Sequence, residues 1–240
     1  MITVILSSFV AGCCIKFWVN VVSGNTYQQL GNTPQKYLTR FRFKFAKKSR
    51  DAFARATLPM FRRPLDDRTE TRLTIPAYAA ELFALTDQNR GFLRQWLPWL
   101  DQTRTVADTT AFIRGQLVQF SEDRALHLTI FHVGKIAGVV GFNTIDPTLR
   151  SGTIGYWLGE DCNGRGIMTA AVRDLMRIGR EIYDLNRIEI RCATGNTRSR
   201  AIPERLGFVC EGVLAHAEKV NEAWYDLAVY ADVASPAREA

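Results

Sequence analysis

From Arg72 onward the spacing of apolar and polar residues switches repeatedly between a period of two and a period near 3.6, the signatures of strand and helix. Arg72 to Ile75 reads as a first strand. Pro76 then opens a helix over Ala77 to Thr86, with Leu82, Phe83 and Leu85 forming an apolar face. Gly91 to Leu100 has no clear period and carries Trp96 and Trp99 beside Pro98, which reads as a loop. Asp108, after Thr105-Val106, signals the start of a second helix with the stripe Phe112, Ile113, Leu117 and Phe120. Leu126 to Val133 alternates as a strand, Gly134-Lys135 is a hairpin turn, and Ile136 to Ile145 returns. Ser151 to Leu158 follows the Asp146-Pro147 turn as another strand. Ile167 to Tyr183 is a helix with Ile167, Ala171, Leu175 and Ile178 on one side. Arg187 to Ala193 is a strand, Arg198 to Leu206 a short helix stopped by Gly207, and Phe208 to Lys219 and Ala223 to Val233 are two last strands around Asn221-Glu222. The order β-α-α-β-β-β-α-β-α-β-β predicts an α/β fold with a mixed sheet.

Charge divides the chain. Residues 1–59 hold nine Lys/Arg and one acidic residue, whereas residues 60–240 hold 22 basic and 23 acidic residues. The net charge of +7 therefore belongs to the front segment, and the near-neutral remainder argues against direct nucleic-acid binding by the folded domain. Residues 1–59 form an atypical N-terminal extension. Met1 to Val22 is apolar but interrupted by Lys16 and Asn20, and no positive charge precedes the apolar run. Val10-Ala11-Gly12-Cys13 resembles a lipoprotein cleavage site, and residues 36–55 interleave basic residues with Tyr37, Phe41, Phe43, Phe45 and Phe53. Three readings stand open for this segment: a poorly ordered start-site extension without function, an anchor or leader, or a partner-binding arm. Met60 is a natural beginning for the globular domain, 60–240.

The five cysteines form neither a CxxC pair nor a His-accompanied cluster, so no metal site is expected. Cys192 lies in an apolar strand pattern and reads as a small buried hydrophobe. An odd cysteine count without a framework suits a reducing compartment, and a cytoplasmic location is expected.

The segment Gly155 to Thr169 carries the candidate chemistry. It reads as a strand, a Gly-containing turn and the first turn of a long helix. Gly164 and Gly166 flank Arg165 where the helix begins, which exposes backbone N–H groups at a positive helix end, a seat for phosphate or pyrophosphate. The turn lacks the Lys-Ser/Thr of a P-loop and the third glycine of a dinucleotide fold. A second segment, Gly195 to Phe208, follows in register, and a third runs from Glu211-Gly212 to Asn221. Together the three resemble the GNAT superfamily of acyl-CoA N-acyltransferases and, within it, the RimL/RimJ branch that acetylates protein N-termini. The resemblance covers roughly residues 60–233. Where the superfamily usually opens its turn with Gln or Arg, this chain has Asp161, a departure that leaves the backbone cradle in place.

The resemblance implies a GNAT fold, with a mostly antiparallel mixed sheet flanked by helices, and acetyl-CoA as co-substrate. It implies that Gly164, Arg165, Gly166, Ile167 and Met168 hold the pyrophosphate of coenzyme A. It implies that the backbone of Trp157 and Leu158 runs beside pantetheine and donates to the thioester oxygen, and that Asn196 contacts pantetheine. Ser199 is the implied donor to the leaving sulfur, by direct hydrogen bond or through water. Glu218 is the implied general base, with His216 as its rival, two residues away on what strand alternation makes the same face. Asn196 and Ser199 are also ordinary helix-capping residues. The expected acceptor is the N-terminal α-amino group of a ribosomal protein. The alternatives are a small amine (antibiotic, toxin or polyamine) or a non-catalytic acyl-CoA-binding regulator. A homodimer is admitted by the resemblance.

Overall fold

A computed structural model describes residues 62–234, so the readings made for residues 1–59 lie outside the described residues. Eight strands form one sheet: β1 (Arg62–Pro64), β2 (Thr69–Leu73), β3 (Leu126–His132), β4 (Lys135–Asp146), β5 (Ser151–Leu158), β6 (Arg187–Ala193), β7 (Val209–Val220) and β8 (Ala223–Val233). The helices are α1 (Ala79–Gln88), α2 (Arg90–Leu93), α3 (Val106–Ser121), α4 (Ile167–Glu181) and α5 (Thr197–Leu206). Strand order is β1-β2-β3-β4-β5-β6-β8-β7. Every neighbouring pair is antiparallel except β5 and β6. The mixed, mostly antiparallel sheet expected from the sequence is therefore present.

Each face of the sheet has its own core. On one, Leu126, Leu128 and Ile130 of β3 and Val140 and Phe142 of β4 pack with Val172, Leu175 and Ile178 of α4. On the other, Phe131, Ile136 and Val139 meet Ala79 and Leu82 of α1 and Ile113 of α3. Burial on both faces explains why β3 and β4 read as near-continuous apolar runs. Full burial of one such Leu or Ile stabilises the fold by about 1.5–3 kcal/mol.

Local chemistry sets the helix boundaries. Thr105 caps α3 through a reciprocal box with Asp108: Asp108 N–H donates to Thr105 Oγ1 at 3.2 Å, and Thr105 N–H donates to Asp108 Oδ2 at 2.8 Å. Pro76 opens a 3-10 turn over Pro76–Tyr78 that runs into α1, so the α-helix begins two residues later than its sequence pattern. Gly207 ends α5 in the left-handed region, at φ 82°.

Two elements were not legible. β1 is only three residues long and carries no apolar period. It is held by Arg63, whose guanidinium donates to Asp174 of α4 at 2.5 and 2.9 Å; Asp174 is buried. β2 begins at Thr69 rather than Arg72, because its buried positions are Thr69, Thr71 and Leu73, and two of those three are polar. The stretch read as a loop over 91–100 contains α2 and leads into a 3-10 turn at Leu100–Gln102.

Candidate functional site

The parallel pairing of β5 with β6 runs from Ser151 opposite Arg187 to Ile154 opposite Ile190 and then stops. β5 continues to Leu158 beside β4, while β6 continues to Ala193 beside β8. The two strands part, and their C-terminal halves become the walls of an opening in the middle of the sheet. Gly159 N–H donates to Ala137 O at 2.9 Å on the β4 side. Strand alternation then directs the Leu158 N–H the other way, into the opening, where no β6 residue pairs with it. The Trp157 N–H belongs to the β4 side. Of the two backbone donors that the resemblance implies, the geometry leaves Leu158.

Two connected clefts meet at this opening. The larger, about 720 Å³, is lined by Gly164, Gly166, Ile167, Met168 and Thr169 from the turn and start of α4, and by Arg198 and Arg205 from α5. The smaller, about 420 Å³, is lined by Tyr156, Trp157 and Leu158 on one side, Asn196 and Ser199 on the other, and Phe92 and Trp96 over the top. Leu158, Met168 and Ile202 belong to both.

The turn before α4 is built for backbone donation. Glu160–Cys162 forms a 3-10 turn, and Asn163 Nδ2 donates to the carbonyls of Gly159 and Glu160, both at 3.1 Å. Asn89 at the end of α1 accepts from the Glu160 N–H at 2.8 Å, tying the turn to the opposite face of the sheet. Gly164 and Gly166 have φ of 75° and 74°, a region where a side chain is strained. Gly166 is the N-cap of α4 and offers no side-chain cap, so the first N–H groups of the helix have no capping acceptor. Arg165, which the resemblance includes among the residues at the pyrophosphate, is absent from the lining of either cleft, whereas Arg198 and Arg205 are present. Arg205 also donates to Thr169 Oγ1 at 3.3 Å, bridging α5 and α4. Their spacing of seven on α5, two turns of one helix face, was the available signal.

Asn196 and Ser199 do act as a capping pair: Ser199 N–H donates to Asn196 Oδ1 at 3.1 Å. That uses the Asn196 oxygen in the cap, and Asn196 also lines the smaller cleft. The Ser199 hydroxyl is within 3.3 Å of the Tyr156 hydroxyl, which donates to the Ser199 carbonyl at 3.0 Å. Sequence reasoning noted Tyr156 only as a strand residue.

β7 departs from simple alternation. Leu214 pairs with Leu227 and Glu218 with Tyr225, so β7 advances four residues while β8 passes two. The excess forms a bulge in which His216 takes φ 48° and donates its N–H to Asp226 Oδ1 at 2.8 Å. The expectation that His216 and Glu218 share a strand face is thereby corrected. The His216 ring is exposed and stacked on Trp224, centroids 6.5 Å apart. Glu218 is half-buried, and burial raises the pKa of its carboxyl above the ordinary value. Glu218 is not in the lining of either cleft. Its cross-strand partner Tyr225 packs edge-on against Trp96 at 6.0 Å, and Trp96 lines the smaller cleft. Trp99, by contrast, packs against Trp157 at 6.3 Å, so the two tryptophans of the 91–100 stretch divide cleft-lining and packing between them.

Among the described residues no three His, Cys, Asp or Glu side chains gather as metal ligands, and no helix is long and apolar enough to cross a membrane. Cys192 is buried, as its strand pattern predicted.

Known proteins resemble this chain in sequence and fold. The family model "Acetyltransferase (GNAT) domain" matches residues 70–209. The ribosomal-protein-serine acetyltransferase of Escherichia coli (strain K12) is 32% identical over 152 residues, 63% of this chain and 85% of that protein. Among solved structures, RimL, the ribosomal L7/L12 alpha-N-protein acetyltransferase in complex with coenzyme A, superposes with TM-score 0.70 at 30% identity, covering 72% of this chain and 97% of that one. The microcin C7 self immunity acetyltransferase MccE, in complex with acetyl-CoA and AMP, superposes with TM-score 0.68 at 34% identity, covering 71% of this chain and 94% of that one. The parted strands, the glycine turn on α4 and these likenesses lead to one family: the chain belongs to the GNAT acetyltransferases and is an N-acetyltransferase.

Proposed function

We propose that the protein transfers the acetyl group of acetyl-CoA to the N-terminal α-amino group of a ribosomal protein. The carrying observation is the parting of β5 and β6, which leaves the Leu158 N–H without a β6 partner beside a cleft that Ser199 also lines and that shares lining residues with the α4 cradle. The residues present fit coenzyme A. The Gly166, Ile167 and Met168 amides at the positive end of α4 receive pyrophosphate, with Arg198 and Arg205 adding charge. The acceptor reading rests on likeness to enzymes that act on ribosomal proteins.

In this reading the Leu158 N–H donates to the thioester oxygen as negative charge develops there. One such donor contributes roughly 10²–10³ in rate. Glu218 takes the proton of the incoming amine, through water. An α-amino group has a pKa of about 7.7–8.0, so it needs only a modest base, and partial burial makes Glu218 a better proton acceptor than a solvated carboxylate. Ser199 faces the leaving sulfur and hydrogen-bonds it. Trp96 and Phe92 cover the acceptor side.

The test is the rate of coenzyme A release from acetyl-CoA with a peptide beginning in serine, measured against spermidine. A higher kcat/KM for the peptide supports the reading. Turnover of spermidine alone moves the enzyme to small amines, and binding of acetyl-CoA without turnover on either makes it a non-catalytic acyl-CoA-binding protein.

A further inference from the structure

The hydroxyl of Tyr156 reaches across the opening from β5 to α5, and no role in the reaction has been given to it. It touches Ser199 twice. It donates to the Ser199 carbonyl at 3.0 Å, and the Ser199 hydroxyl donates to it at 3.3 Å. Both residues line the smaller cleft. In this arrangement the Ser199 proton is directed at Tyr156, and the Cys192 thiol also stands within hydrogen-bond reach of the Ser199 hydroxyl. To hydrogen-bond a leaving thiolate, Ser199 must turn that proton outward. Its oxygen then needs a donor, since a polar atom left unsatisfied in a partly desolvated site is costly. The phenol can supply one by rotating its own O–H from the Ser199 carbonyl to the Ser199 oxygen. Both acceptors already lie within 3.3 Å of the phenol oxygen, so no heavy atom has to move.

We propose that Tyr156 is a positioning residue for the leaving-group step: its hydroxyl holds Ser199 in the resting enzyme and switches acceptor when Ser199 turns to the sulfur. Burial raises the phenol pKa well above its ordinary value, so Tyr156 stays neutral and is a poor proton source for a thiolate. No bond is made or broken in the switch. Tyr156 and Ser199 both keep their protons, and the thiolate is stabilised by hydrogen bonding until solvent protonates it. The neighbouring Cys192 thiol is pushed up to about 11 by burial, so it too stays neutral beside Ser199.

The inference rests on Ser199 serving the sulfur, as proposed above, and a double-mutant cycle separates the two. Tyr156→Phe should lower kcat about tenfold, the loss of one hydrogen bond, with the KM for acetyl-CoA unchanged. Ser199→Ala should lower kcat at least as much. The double variant should match Ser199→Ala alone, because Tyr156 acts only through Ser199. A Tyr156→Phe enzyme with parental kcat, or a double variant whose loss is the product of the two single losses, overturns the proposal. Parental activity in Ser199→Ala overturns instead the reading of Ser199. As a probe that preserves shape, 3-fluorotyrosine at position 156 makes the phenol more acidic. The alkaline limb of the kcat profile should then stay in place, whereas a limb displaced to lower pH would make Tyr156 the proton source and overturn the positioning role.

Discussion

Glu218 shows how a single carboxylate is prepared by its surroundings. Among the described residues no charged partner offsets its half-burial, and desolvation is the cause that raises its pKa. A folded-state pKa above the unfolded value means that the protonated form favours folding, an advantage present below about pH 4.3 and lost as pH rises through the folded value. At neutral pH the ionised group costs stability. Glu218→Gln should therefore lower kcat by roughly 10²–10⁴, leave acetyl-CoA affinity unchanged, and keep or raise Tm at pH 7.5, with the Tm difference vanishing near pH 4. Steady-state kinetics and thermal melts at the two pH values check both halves. If Glu218→Gln retains parental kcat and His216→Ala loses it, the base is His216. The half-burial of Glu218 was not legible in the sequence, because the bulge at His216 has no sequence period.

At the scale of elements, the turn into α4 is the part whose sequence and geometry agree most closely. Gly164 and Gly166 take the positive φ that glycine accommodates, and a Cβ at either would meet no protein atom within 4 Å. A substitution there acts through backbone strain and by projecting into the cleft, not by clashing with the fold. Gly166→Val should weaken acetyl-CoA binding by about tenfold or more, since a β-branched residue in the left-handed region costs on the order of 1–3 kcal/mol. Gly166→Asn, which tolerates that region better, should weaken it less. Calorimetric titration of acetyl-CoA ranks the two, and circular dichroism should show both folded. Equal affinities in all three proteins would remove the turn from the binding site. A second element-level test concerns charge. Arg205→Ala should weaken acetyl-CoA binding several-fold with a reduced salt dependence, because Arg205 lines the larger cleft and Arg165 does not.

Across the whole molecule, the contact that ties the first strand to the far helix is Arg63 with Asp174. Asp174 also pairs with Arg177, and hydrogen bonds from both arginines hold its pKa down against the opposing effect of burial. A depressed folded pKa contributes stability above the unfolded value of about 3.9 and loses it as pH falls toward the folded value. Arg63→Ala should cost about 3 kcal/mol, the low end for removing one partner of a buried pair, or roughly 6–12 °C in Tm. The deficit should shrink below pH 4. A chain starting at Met60 retains Arg63 and is expected to be folded and catalytically competent. Loss of folding, or more than about a tenfold loss of kcat/KM, would show that residues 1–59 belong to the working enzyme, and recovery of the full chain in a membrane fraction would support an anchor.

The sequence by itself determined the order of elements from α1 to β8 apart from the short α2, the glycine turn on α4 and the Asn196–Ser199 cap. These depend on local periods, on φ and on hydrogen bonds between residues three apart, all of which are written in consecutive positions. Only the tertiary structure decided what depends on distant residues meeting. The parting of β5 from β6 lies in the pairings each strand keeps beyond Ile154 and Ile190, β5 with β4 and β6 with β8. Arg205 reaches the cradle, and Tyr156 reaches Ser199, because α5 packs beside α4 and across the opening. β1 is held by an ion pair spanning 111 positions, and the bulge that sets Glu218 apart from His216 exists only in the register of β7 against β8. Hydrophobic periodicity reports which side of an element is buried, whereas pairing register and ion pairs are relations between elements.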